Sequence, residues 1–119
     1  MRQTELVMKL YSLFTSLEFQ KMYQEVRKQE AKDYSDYNEK YSWAELTAVG
    51  MFFEGIGILL KRGLIDIDLV DDMFTTPIKR IWKKIENIIL EERKVTNQPE
   101  ILEWFECLYN EMKKREQRQ

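Results

Sequence analysis

Glu54 is the side chain in this sequence whose setting most invites chemistry. It lies inside the most apolar stretch, Leu46 to Leu60, with Gly50 and Gly57 on either side. At about 100° per residue, Trp43, Gly50, Glu54, Gly57 and Lys61 fall within about 40° of one line along a helix. A narrow polar or small stripe therefore runs down an otherwise apolar surface. Read as a site, these five residues line a ligand or partner cleft in which Glu54, its pKa raised, holds a cation. Read as structure, the glycines admit a crossing helix and Glu54 is satisfied inside the domain by Arg80, Arg93, Trp82 or a Tyr hydroxyl. The structural reading is the expectation, with Glu54 and Arg80 as the pair, because a lone buried carboxylate is too costly to stay ionised.

The other reactive residue types are few. The chain has no His and one Cys, Cys107, which excludes His/Cys zinc sites, Ser/His and Cys/His catalytic pairs and intrachain disulfides. Cys107 reads as a packing residue beside Trp104 and Leu108. Asp66, Asp68, Asp71 and Asp72 lack the EF-hand spacing, since Val70 and Asp71 stand where the third ligand and the glycine belong. They read as a helix cap and a solvated first turn, so no metal and no cofactor is expected.

Lys79, Arg80, Lys83 and Lys84 share the polar side of an amphipathic helix. Four cations in a chain of net charge -2 neutralise too few phosphates for nucleic-acid binding at physiological salt, and no recognition motif accompanies them. Tyr34, Tyr37, Tyr41 and Trp43 cluster ahead of the apolar stretch, either as interface hot spots or, as favoured here, as a loop pinned onto a small core.

The elements that carry these residues follow from periodicity. A length of 119 residues, 44% hydrophobic and 34% charged, suits one globular domain. Leu6, Val7, Leu10, Leu13, Phe14 and Leu17 make one helical stripe, and Phe19, Met22, Tyr23 and Val26 make another, with Ser16 as N-cap. Residues 1–30 are thus a helical arm or hairpin. Residues 31–42 lose the period and read as the main connection. Ser42 and Glu45 form a capping box for a central helix over about 43–62, closed by Gly63. A short helix with Leu69, Val70, Met73 and Phe74 is expected to stop before Thr76 and Pro77, where a new helix with Ile78, Ile81, Trp82, Ile85, Ile88 and Ile89 begins. Asn97, Gln98 and Pro99 repeat that device ahead of a last helix. The expectation is an all-α, irregular bundle of five or six helices around the 43–62 helix. Residues 1–20 contain no continuous apolar core of a signal peptide, and the Leu46 to Leu60 stretch is too short for a membrane span, so a cytoplasmic domain is expected.

The run Phe52, Phe53, Glu54, Gly55, Ile56, Gly57, Ile58, Leu59, Leu60, Lys61, Arg62, Gly63, Leu64, Ile65, Asp66 resembles the F-[FY]-E-x-x-G-x-L-x-[KR]-x-G-x-[IL]-D signature of the DUF4760 family of uncharacterised prokaryotic proteins. Ile78, Trp82 and Arg93 fit the apolar, Trp and Arg pattern that follows it. The resemblance covers residues 43–115 and implies an all-helical domain without naming an activity. From the residues, the expected function is a non-enzymatic interaction domain that binds a protein partner or itself, as a dimer. The alternative is a small-ligand or nucleic-acid-binding regulatory domain that uses a cleft at Glu54 or the basic helix 79–84.

Overall fold

The first break in the chain is made by one hydroxyl. In the computed structural model, which describes residues 2–118, helix α1 spans Gln3–Thr15 and α2 spans Leu17–Lys28. Between them Ser16 is extended and accepts from the Phe19 N–H at 3.2 Å, which starts α2 afresh. The two stripes are therefore two helices. Phe14 at the end of α1 sets its ring against Phe19, Tyr23, Phe52, Phe53 and Phe74, so the hairpin closes over the helices that follow.

Residues 31–42 are not an irregular connection throughout. Asp33 accepts from the Asp36 N–H at 2.9 Å and caps a short helix, α3, Tyr34–Lys40. Turn-forming residues here start a helix because the aspartate sits where a cap is needed. The tyrosines then lock inward. The Tyr34 hydroxyl donates to Glu92 at 2.6 Å, Trp43 Nε1 donates to Asn38 at 2.7 Å, and Tyr37 is buried.

Helix α4, Ala44–Lys61, is the central helix and ends at Gly63 with φ +71, a left-handed turn that glycine adopts without strain. Asp66 then caps α5 by accepting from the Asp68 N–H at 2.8 Å. Helix α5 runs unbroken over Ile67–Thr96 with Pro77 inside it, which corrects the expected restart at Thr76 and Pro77. Val70, Phe74, Ile78, Ile81, Trp82, Ile85, Ile88 and Ile89 form one buried face. That continuous burial outweighs the single lost backbone hydrogen bond and the steric cost of an interior proline.

Asn97 (φ 54) ends α5 rather than opening the next helix, and α6 starts only at Glu103, running to Gln117. The six helices share one hydrophobic core, and no strand occurs among the described residues. The all-α bundle of six helices around the central helix is as expected. No single helix among the described residues is long and apolar enough to cross a membrane.

Candidate functional site

The stripe on α4 is filled by the start of α6. Glu54 is only 8% exposed, and its Oε1 accepts from the Trp104 N–H at 2.9 Å and the Phe105 N–H at 2.8 Å. These are orphan donors of the first turn of a helix. Glu54 therefore acts as the N-cap of α6 from another helix, and a carboxylate at that end also meets the favourable pole of the helix dipole. Arg80 is exposed on α5, and no hydrogen bond or ion pair joins it to Glu54 among the described residues. The expected Glu54–Arg80 pair is corrected accordingly: backbone N–H groups do the work assigned to a cation. Burial pushes the Glu54 carboxyl above its ordinary value, while the Phe105 and Trp104 N–H groups and the charge of Arg93 oppose that shift.

The neighbours of Glu54 on the stripe complete this junction. Leu102 sits over Gly50, where an added Cβ would meet its Cδ1 at 2.9 Å. The Trp104 backbone sits over Gly57 so closely that a Cβ there would stand 2.7 Å from its carbonyl carbon. Lys61 places Nζ 3.9 Å from the Trp104 ring centroid, a cation–π contact. Leu102 itself is left-handed, at φ 53, a conformation an L side chain adopts only when its surroundings hold it there. Arg93 fastens the same segment from α5, donating through Nε to the Ile101 carbonyl and through Nη1 to Glu106, both at 2.8 Å. Phe53 stacks on Phe105 at 5.0 Å and Trp82 meets the same ring edge-on at 5.2 Å.

Gly50, Glu54, Gly57 and Lys61 are thus brought together around the start of α6. Trp43 stands apart from them, packed on Tyr37 at 5.1 Å. A groove of ≈ 410 Å³ does open beside Gly57 and Lys61, bordered by Trp104, Cys107 and Arg115; Glu54 does not line it.

The family-pattern residues Phe53, Glu54, Gly57, Trp82 and Arg93 all converge on this one junction. The family model described as Domain of unknown function (DUF4760) matches residues 2–112. The chain belongs to the DUF4760 family. The match takes in α1, α2 and α3 as well as residues 43–112. No curated protein and no solved structure matches. In this DUF4760 domain, then, those five residues build the docking of α6 onto α4 and α5, while Gly63 stops α4 and Asp66 caps α5.

The basic quartet is divided by the fold. Lys79, Arg80 and Lys83 line an open groove of ≈ 510 Å³ together with Lys113 of α6, and Lys79 is held by Glu116 at 3.0 Å. Lys84 instead borders a separate cavity with Gln29 and Tyr37. Of the aspartates, Asp68 and Asp71 both pair with Arg115 of α6, and no group of three or more Asp, Glu, Cys or His residues is arranged to hold a metal among the described residues. Cys107 is exposed, which corrects its reading as a packing residue. Partial burial and the surrounding carboxylates raise its thiol pKa.

Sequence reasoning missed Gln29, Trp104 and Arg115. Gln29 follows the polar Arg27 and Lys28 at the end of α2 and carries no local sign of burial, and Arg115 reads locally as a C-terminal cation. The spacing of Trp104 and Phe105 from Glu54 gives no local signal, because the cap comes from 50 residues away.

Proposed function

We propose that this domain is a non-enzymatic interaction module that pairs with a second copy of itself through the open flank of α4. The observation that carries the reading is an apolar strip left uncovered on the central helix. Met51 is 56% exposed and Ile58 36% exposed, and an added Cβ on Gly55 between them would meet nothing within 4 Å. These three residues lie within about 60° of one another around the axis, on the flank opposite the core. Next to Met51 lies a small depression of ≈ 120 Å³ lined by Trp43, Thr47, Ile101 and Leu102.

A two-fold axis passing through Gly55 crosses two α4 helices in antiparallel fashion. The glycines let the backbones approach, and Met51 of each copy meets Ile58 of the other beside the depression. That arrangement is self-complementary, as an isologous interface must be. One helix face buries little area, so the dimer is a weak one in the micromolar range. The acid singled out in the sequence is occupied in holding α6, which favours association over catalysis.

Sedimentation equilibrium at tens of micromolar tests the proposal. Wild type is expected to show a monomer–dimer equilibrium, and Met51→Lys and Ile58→Lys are expected to sediment as monomers while unfolding in urea like wild type, because both positions are solvent-exposed. A wild-type protein that is strictly monomeric, or a dimer indifferent to both substitutions, overturns it.

A further inference from the structure

A second feature lies on the other side of the molecule, where α2, α3, α4 and α5 meet around a cavity of ≈ 350 Å³. Its floor is aliphatic, made by Val26, Leu46, Ile85 and Ile88. Its polar groups come from separate elements and converge. Gln29 is 6% exposed. Its backbone N–H is bonded to the Glu25 and Val26 carbonyls, and its side-chain amide faces the Tyr37 hydroxyl. The amide also borders the open space of the cavity. The buried Tyr37 hydroxyl donates only a long bond of 3.4 Å to the Ser42 carbonyl. Burial pushes its pKa up to about 12, so it stays a neutral phenol able to donate and accept. Lys84 stands at the rim with no carboxylate within ion-pair distance among the described residues.

We infer that this cavity binds a small carboxylate carrying a short branched aliphatic body. Lys84 and the Gln29 amide N–H receive the carboxylate, Tyr37 adds a hydroxyl, and the Val26, Leu46, Ile85 and Ile88 floor takes the apolar part. The volume lies at the low end for ligand sites, which restricts the guest to the size of a branched-chain acid. Glu30 also lines the rim, with no ion pair among the described residues. It disfavours dianions and offers a seat for an ammonium group, so the carboxylate can belong to a simple acid or to an amino acid. The site is independent of the α4 flank.

The test is a chemical-shift titration of the full chain, following the Gln29 side-chain NH2 and the Ile85 and Ile88 methyl groups. The probes are isovalerate, leucine, the neutral isovaleramide and inorganic phosphate. Isovalerate, leucine or both are expected to give saturable shifts at millimolar concentration, and which of them binds tighter identifies the source of the carboxylate. Isovaleramide and phosphate are expected to bind at least tenfold more weakly. Lys84→Ala and Gln29→Leu should each weaken binding at least tenfold, whereas Lys83→Ala and Met51→Lys should leave it within twofold. Gln29→Leu should still fold, since the amide it removes faces only the Tyr37 hydroxyl and the cavity. No saturable shift with any probe, which means a cavity filled by water alone, overturns the inference. So does isovaleramide binding as tightly as isovalerate, or binding that survives both Lys84→Ala and Gln29→Leu.

Discussion

Gly55 and Gly57 stand two residues apart on α4 and meet opposite surroundings. Over Gly57 lies the Trp104 backbone, too near for any Cβ, while over Gly55 there is nothing within 4 Å. One helix therefore carries a closed flank, where Glu54 and two glycines seat the first turn of α6, and an open flank, where Met51 and Ile58 face solvent. The same residue type gives both. What differs is whether the chain itself supplies the group that comes close. The fold explains the glycine on the closed flank, and the proposed association accounts for the one on the open flank.

The largest effect that breaks this contrast is expected at Glu54. Glu54→Leu leaves the Trp104 and Phe105 N–H groups without an acceptor, and urea unfolding should show a loss of about 2 to 4 kcal/mol. Glu54→Gln keeps a carbonyl acceptor and should cost less than about 1 kcal/mol. Next comes Gly57→Ala, where the methyl meets backbone that cannot rotate away. A loss of about 2 kcal/mol is expected despite the better helix propensity of alanine.

A pH measurement sharpens the closed flank further. The folded Glu54 pKa is raised above its unfolded value of 4.5. Its contribution to stability is therefore fully present below pH 4.5 and is lost as pH rises through the folded value. Wild type should gain on Glu54→Gln when the pH is lowered from 7 toward 4.5. Asp36, Asp71 and Glu116, whose pKa values are lowered by their partners, act in the opposite sense, but both proteins carry them and they cancel in the difference. The smallest effect belongs to the open flank: Gly55→Ala should stabilise the monomer by about 0.5 to 1 kcal/mol, the ordinary helix-propensity gain.

Much of this was legible in the sequence wherever the determinant is local. The Ser16 cap, the extent of α4 and its Gly63 stop are one- to four-residue signals, and the apolar periods led to helices throughout. At Pro77 a local helix-start signal conflicts with a longer-range pattern. The spacing Val70, Phe74, Ile78, Ile81 continues across it without a phase change, and the buried face decides. The aspartate before Tyr34 was a cap hidden among turn formers. The start of α6 was not legible at all, since Leu102 is left-handed and the cap arrives from α4. For the same reason the burial of Glu54 and the role of its glycines were anticipated, while its partner was assigned to Arg80 instead of to the Trp104 and Phe105 N–H groups.

Hydrogen exchange at the Trp104 and Phe105 amides tests the central claim, that Glu54 is the remote cap of α6, most directly. Both amides are expected to be protected in wild type and in Glu54→Gln, and to lose protection selectively in Glu54→Leu while amides in the middle of α5 exchange only as fast as the lowered global stability requires. Equal protection of Trp104 and Phe105 in Glu54→Leu and wild type would contradict it.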